Sequence, residues 1–330
     1  MRKIEVIGHR GARAFAPENT VAGMAKGLAI GVDWVDVDVV VTSDRVLVAY
    51  HNLVINPEIL CDEDDLYLAN DFNDFLESLV GDSIDKLLIK NLSFTELKKY
   101  QIRLNPHSNY AQFFPKQEII PKTLINSLQE IVDYVDRATN KSVKFQIEIK
   151  NNLDHISWSY SPQELANIIY QFILQNDLIE RVKIQAFDWR ILIALNELDP
   201  KIKTAYLFIY DLLDNWQKWF QHTRIFELAQ NHPINVPGDF LPIIKQLGAY
   251  SFEPEDNELK ESEIKLAHQL GLKVYVWGYP EHSGFVFNAK LMRYIINLGV
   301  DGIITDNPVE LNKLLVEMGQ TSPRRFNEEL

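Results

Sequence analysis

The chain predicts a (β/α)8 TIM barrel, an α/β fold in one domain spanning residues 1–330. Three observations carry that expectation. Apolar strand-like runs alternate with helix-like runs along most of the 330 residues. Eight strands are counted once a hairpin run is set aside, which is the number a closed parallel barrel needs. No Gly-x-Gly-x-x-Gly follows the first strand, which disfavours a doubly wound open sheet.

Ile4–Gly8 is a short apolar strand that runs into His9. Val21–Ile30 reads as a helix, with Asn19 or Thr20 as its cap and Gly31 at its C-terminal end. Trp34–Val41 is the second strand, and Thr42-Ser43-Asp44-Arg45 turns it into a partner at Val46–Tyr50. Residues 52–121 break the rhythm. They are too many for a bare loop in a compact domain, so they predict a small cap subdomain inserted after the second barrel strand. Alternation then resumes with a helix over Leu124–Ala138 and a strand over Val143–Ile149. Helices at Pro162–Gln175 and Trp189–Leu198 flank a strand at Val182–Phe187, and Thr204–Phe208 is the next strand. An aromatic helix over Trp216–Leu228 carries Trp216, Trp219 and Phe220, which suit core packing, a lid or, third, membrane contact. Ala249–Glu253, Lys273–Trp277 and Asp301–Thr305 are the last strands, with helices at Glu258–Leu270, Lys290–Leu298 and Pro308–Met318.

The net charge of −13 and a pI of about 5.1 exclude the basic surface that non-specific nucleic-acid binding needs. An anionic small molecule is still compatible with local cations or a metal. No apolar run approaches the roughly 18 residues that span a bilayer, so no membrane anchor is expected. The opening Met1-Arg2-Lys3 precedes no apolar stretch of signal length. That reads as cytoplasmic, or as periplasmic or secreted if a signal peptide has been removed. The single cysteine, Cys61, excludes an intramolecular disulfide and a cysteine-based metal site. The acidic run Cys61-Asp62-Glu63-Asp64-Asp65 reads as a solvated loop. Nothing in the sequence specifies the oligomeric state.

Asp36 and Asp38 are the most informative pair. Two residues apart on an apolar strand, they point to the same face. Burying two like charges side by side is costly without a cation, and carboxylates suit a hard divalent ion such as Mg2+, Ca2+ or Mn2+. Catalytic side chains of a barrel come from the C-terminal ends of its strands. His9 and Arg10 follow the first strand, and His51 follows the hairpin partner of the second. Glu148 and Lys150 close the strand at Val143–Ile149, where they share a face and suit a simple ion pair as well as a site. Gln185, Phe187 and Trp277 stand at later strand ends as candidate substrate contacts. Glu18 reads otherwise as a first-turn helix acid, and Asp306 as a cap for the last helix. His107, His155, His222, His232, His268 and His282 read as structural.

The chain resembles the glycerophosphodiester phosphodiesterases. The resemblance rests on Gly8-His9-Arg10-Gly11, Pro17-Glu18-Asn19-Thr20, the acid-x-Asp strand and His51. It is continued by Glu148-Ile149-Lys150, Gln185-Ala186-Phe187-Asp188, Trp277 and Gly302-Ile303-Ile304-Thr305-Asp306-Asn307-Pro308. It implies a barrel with a small insertion and one divalent metal held by Asp36, Asp38 and Glu148. It implies His9 and His51 as general acid and base, with Arg10 and Lys150 neutralising the phosphate. Glu18 and Asn52 would support the groups beside them. The implied reaction cleaves a small-molecule glycerophosphodiester to glycerol 3-phosphate and an alcohol. A lysophospholipase D-like enzyme and a non-catalytic phosphoester-binding homologue are the alternatives. Two departures stand out. Asp36 replaces the family's Glu, an arm shorter by about 1.5 Å. Asn52 replaces the Asp that usually follows the second histidine, and it can orient that histidine without raising its pKa.

Overall fold

The computed structural model describes residues 3–79, 81–230, 233–280 and 288–327. Eight parallel strands close a barrel: β1 (Glu5–Gly8), β2 (Trp34–Val41), β6 (Lys144–Ile149), β7 (Val182–Ala186), β8 (Lys203–Phe208), β9 (Ser251–Pro254), β10 (Lys273–Val276) and β11 (Gly302–Thr305). The sheet order β1-β11-β10-β9-β8-β7-β6-β2 is closed by pairing of β2 with β1. β3 (Leu47–Ala49) pairs antiparallel with the far end of β2, Val39–Val41.

Alternation along β2 decides where its acids go. Val35, Val37 and Val39 join Met24 and Leu28 of α1 (Val21–Ile30), and Leu128 and Ile131 of α4 (Leu128–Thr139), in the main apolar core. Full burial of each valine is worth about 1.5–3 kcal/mol, so this face is firmly held outward against the helices. Asp36 and Asp38, on the other face of the strand, are fully buried. A one-residue slip would bury the acids under the helices and is strongly disfavoured.

Three elements depart from the sequence expectation. The aromatic stretch is two helices, α7 (Tyr210–Trp219) and α8 (Arg224–Ala229). His222 adopts a left-handed φ of 61° between them, and Thr223 caps α8 by accepting from the Phe226 N–H. Trp216 and Phe220 are core: Phe220 stacks on Trp189 at 5.3 Å, and Trp216 meets Phe240 edge-on at 6.1 Å. A short helix α9 (Leu241–Gln246) follows, which sequence periodicity did not reveal because only six residues form it. α4 begins at Leu128, later than expected, because Ser127 and Glu130 form a capping box.

Residues 52–121 hold a two-stranded ribbon, β4 (Leu60–Cys61) with β5 (Gln101–Ile102), and two short α-helices, α2 (Phe72–Ser78) and α3 (Phe94–Leu97). Ile55, Ile59, Leu60, Ile89, Leu97 and Ile102 form a second apolar cluster with Val48 and Tyr50 from beside the barrel. No helix among the described residues is long and apolar enough to cross a membrane.

Candidate active site

The carboxyl end of the barrel opens into a cavity of about 430 Å3, a size suited to a small molecule. The loop after β1 supplies its first side chains. Gly11 has φ of 92°, and a Cβ there would fall 2.4 Å from the Gly23 carbonyl carbon, so only glycine fits between this loop and α1. Arg10 also takes a left-handed φ, 53°. Such a conformation costs free energy in a non-glycine residue, and here it directs Arg10 across the cavity floor.

Arg10 is buried. Its Nη1 donates to Glu18 Oε1 at 2.6 Å, and its Nε lies 2.9 Å from Asp38 Oδ2. Asn19 donates to the same Asp38 oxygen at 2.9 Å and accepts the Asp38 N–H at 3.0 Å. Thr20, rather than Asn19, therefore caps α1. Asp38 Oδ1 is buried without a hydrogen-bond partner among the described residues, 3.8 Å from Lys150 Nζ. Lys150 pairs closely with Glu148. Arg10 and then Lys150 hold Asp38 well below the usual carboxylate range against its burial. Glu148 behaves oppositely: burial and the neighbouring Asp38 push it up to about 7 despite Lys150.

Asp36 sits deeper. Its Oδ1 accepts from Gln146 Nε2 and from Gln185 Nε2, both at 2.8 Å, and its Oδ2 accepts the Arg10 N–H at 3.3 Å. Burial, followed by the charges of Asp38 and Glu148, pushes its carboxyl well above the ordinary value.

Among the described residues, no group of three or more His, Cys, Asp or Glu side chains is placed to hold a metal ion. The local chemistry nonetheless suits a hard cation. Asp38 Oδ1, Gln146 Oε1 and Gln185 Oε1 are all buried oxygens lacking a partner among the described residues, and Glu148 lines the cavity beside them. Oxygen donors of this kind fit Mg2+, Ca2+ or Mn2+.

His9 and His51 line the same cavity. His9 Nδ1 lies 2.7 Å from Asp306 Oδ1. An ionised carboxylate only accepts, so His9 donates from Nδ1 and its Nε2 is the other tautomeric position. Burial lowers the His9 pKa, and the Asp306 charge opposes that shift. His51 lies well below the ordinary histidine value because it is buried and faces the charges of Arg10 and Lys150. It is therefore neutral at pH 7. Asn52 Oδ1 accepts from Asn56 Nδ2 at 3.1 Å.

Sequence reasoning missed one network. Arg13 grips Asp306 with Nε at 2.7 Å and Nη2 at 2.8 Å, and donates to the Tyr110 hydroxyl at 2.5 Å. Tyr110, from the 52–121 segment, donates in turn to Glu18 Oε2 at 3.2 Å. Asp306 is thus not the cap of the last helix, α12 (Pro308–Glu317); Asn307 is, accepting the Glu310 N–H at 3.1 Å. Asp306 is legible in the sequence as an acid at the end of the eighth strand, within the Gly302–Pro308 motif. Arg13, four residues beyond His9, gave no separate signal. Glu18 is likewise no exposed first-turn acid but the buried partner of Arg10 and Tyr110.

One wall of the cavity is aromatic. Phe187 and Trp277 meet edge-on at 5.5 Å, and Trp277 meets Tyr279 at 5.0 Å. The Trp277 indole is fixed by donating to the Glu253 carbonyl at 2.9 Å. The other histidines stand apart: His155 stacks on Trp158, His268 pairs with Asp301, and His107 and His222 lie in turns or loops. His232 and His282 lie outside the described residues.

Comparison with known proteins places the chain in a family. Residues 9–310 match the glycerophosphoryl diester phosphodiesterase family. A glycerophosphodiester phosphodiesterase of Caldanaerobacter subterraneus is 22% identical over 317 residues, covering 96% of this chain and all of that protein. A putative glycerophosphoryl diester phosphodiesterase from Silicibacter pomeroyi shares the fold, with a TM-score of 0.78, 23% identity and coverage of 97% of this chain and 96% of that one. An Oleispira antarctica phosphodiesterase, solved with the product sn-glycerol-3-phosphate, has a TM-score of 0.64 and 17% identity, covering 94% of this chain and 96% of that one. The chain belongs to the glycerophosphoryl diester phosphodiesterase family of hydrolases.

Proposed function

We propose that this chain hydrolyses glycerophosphodiesters to glycerol 3-phosphate and an alcohol, using one divalent metal and two histidines. The single observation that carries this reading is the convergence of His9, His51, Arg10, Lys150 and Glu148 on one cavity at the strand ends. The Oleispira phosphodiesterase, which binds glycerol 3-phosphate as product, supports the same assignment.

The acidic cluster of Asp36, Asp38 and Glu148 is the place for the ion. When bound, it would supply Lewis-acid stabilisation of charge on a phosphoryl oxygen. The remaining work falls to the chain. Arg10 and Lys150 face the phosphate, with the Arg10 guanidinium able to fork onto two oxygens. His51 is neutral and takes the proton of the attacking hydroxyl. His9, held by Nδ1 against Asp306, donates to the leaving oxygen from Nε2 in its protonated form, which the Asp306 charge favours in opposition to burial. Phe187, Trp277 and Gln185 bound the substrate, Glu18 holds Arg10, and Asn52 is fixed beside His51 by Asn56. The 52–121 segment acts as a cap, because Tyr110, Ile59 and Phe72 from it line the cavity.

The first nucleophile in this reading is the glycerol hydroxyl vicinal to the phosphoester. It gives a cyclic phosphate that water opens. Phosphorus NMR of glycerophosphocholine and of diethyl phosphate, each incubated with the enzyme and Mg2+, tests this directly. Glycerol 3-phosphate should accumulate from the first, and the second should be inert. Comparable turnover of diethyl phosphate would remove the vicinal hydroxyl from the mechanism.

A further inference from the structure

Arginines in this chain are mostly answered by acids. Buried Arg10 and Arg13, half-buried Arg181, and exposed Arg45 and Arg293 each stand within ion-pair distance of a carboxylate. That is expected where 46 acids outnumber 33 lysines and arginines. Arg137, Arg324 and Arg325 differ. All three are exposed and have no ion pair among the described residues, yet they line one cavity of about 370 Å3. Among the described residues, no acid lines that cavity.

Two elements build it. Arg137 lies in the last turn of α4, beside Tyr134. The barrel helices run back towards the amino ends of the strands, so α1 and α4 both end at the pole remote from the catalytic cavity. The chain after α12 crosses this pole. Pro323 is buried, and the Phe326 N–H donates to the Leu28 carbonyl at 3.0 Å. Gly31, with φ of 100°, makes room for the crossing: a Cβ there would stand 2.9 Å from the Pro323 carbonyl oxygen. Phe326 packs against the main core. The backbone of Arg324 and Arg325 is thereby anchored beside Arg137.

Aromatic rings orient two of the guanidinium groups. Arg137 Cζ lies 5.8 Å from the Tyr134 ring centre, and Arg324 Cζ lies 4.9 Å from that of Phe326. A guanidinium held over a ring keeps its N–H edge available to an oxyanion. The ends of α1 and α4 account for part of the positive charge, since each helix C-terminus carries about half a negative charge. Three arginines exceed that sum by about two charges, which a dianion would neutralise.

We propose that Arg137, Arg324 and Arg325 form a second anion site, at the amino end of the barrel, that takes a doubly charged phosphate group. Its ligand is inorganic phosphate or a phosphomonoester, free or carried on a lipid. Arginine suits this chemistry because its fork matches pairs of phosphate oxygens. The site is independent of the catalytic reading, since none of the three arginines lines the catalytic cavity.

The test uses the full chain as wild type and as Arg324→Gln/Arg325→Gln. Both are titrated with inorganic phosphate by calorimetry at physiological ionic strength, and sedimented with phosphatidylcholine vesicles with and without phosphatidic acid. Phosphate bound in the catalytic cavity is common to both proteins and cancels in the comparison. Wild-type crystals are also soaked in tungstate, a heavy analogue of phosphate. Tungstate should touch at least two of the three arginines. The double variant should lose affinity for phosphate, or for the phosphatidic acid vesicles, by at least about 10-fold. A loss confined to phosphate assigns a free ligand, and a loss confined to vesicles assigns a lipid headgroup. Equal binding by wild type and variant in both assays would overturn the proposal and leave the arginines as partners of the helix ends. So would phosphate binding that appears only in Glu328→Gln/Glu329→Gln, because the chain's own acids would then compete for the arginines. If the double variant does not fold, the tungstate position in wild type decides alone.

Discussion

The barrel interior holds buried charge at two levels, and the two levels are built differently. In the lower one, Lys183 Nζ donates to Glu253 Oε1 at 2.8 Å and lies 3.4 Å from the centre of the Tyr275 ring. Ser251 donates to the same Glu253 oxygen at 3.0 Å, and the Tyr275 hydroxyl donates to Glu5 Oε2 at 2.6 Å. Each cation there answers a nearby anion, with an aromatic face over the ammonium. In the upper level, Asp38 and Glu148 crowd each other while Arg10 and Lys150 divide themselves among several acids. Two histidines there are driven towards neutrality. Burial of charge is common to both. The level that opens into the cavity differs in setting two like-charged carboxylates beside two histidines, and this crowding of titratable groups marks the site of chemistry rather than of packing.

That contrast is sharpened first at the histidines. His9→Ala and His51→Ala should each lower kcat by about 10²–10⁴-fold while circular dichroism and Tm stay near wild type. Unchanged turnover in either would remove that residue from the mechanism. Asp306→Asn should follow, with kcat reduced by about 10²-fold through misplacement of His9. It also takes from buried Arg13 its bidentate carboxylate partner, a loss of about 3–5 kcal/mol in urea unfolding. Asp306 is depressed below the ordinary carboxylate range by Arg13 and then His9. Its contribution is present above the unfolded carboxylate value and fades as pH falls through the folded one. The stability gap between wild type and variant should therefore narrow in strong acid, and a pH-independent gap would contradict the pairing.

Smaller effects are expected away from the reacting groups. Tyr110→Phe deletes hydrogen bonds to Arg13 and Glu18 that tie the 52–121 segment to the barrel, and should cost about 1 kcal/mol in stability. KM should rise more than kcat falls if the segment is a cap over the substrate. The least change in activity is expected from the lower level. Lys183→Met should destabilise the fold by about 3–5 kcal/mol because Glu253 stays behind uncompensated, and adding Glu253→Gln should recover part of that loss. Turnover at a temperature where both variants are folded should remain close to wild type. A collapse of kcat in the folded variants would erase the distinction between the levels.

Much of this was legible in the sequence, for definite reasons. Period-two alternation in Trp34–Val41 announced both the buried strand and the shared face of Asp36 and Asp38. What alternation cannot give is height within the barrel. Residues i and i+2 share a face but differ by one register step, and only pairing with β6 shows that Asp38 stands opposite Glu148 while Asp36 stands opposite Gln146. The Arg13–Asp306–Tyr110 network was hidden for a related cause. Its members lie 97 and 293 residues from Arg13 in sequence, and no local pattern links them. The single aromatic helix expected near Trp216 failed because a left-handed turn at His222 leaves hydrophobic periodicity almost unmarked.

The central claim is that the upper level works only with a divalent ion. The decisive measurement is a phosphorus NMR time course of glycerophosphocholine hydrolysis by enzyme treated with chelator and then supplied in turn with Mg2+, Ca2+ or Mn2+. No glycerol 3-phosphate should form in chelator, and at least one of the three ions should restore it. Steady production of glycerol 3-phosphate in excess chelator would contradict the account.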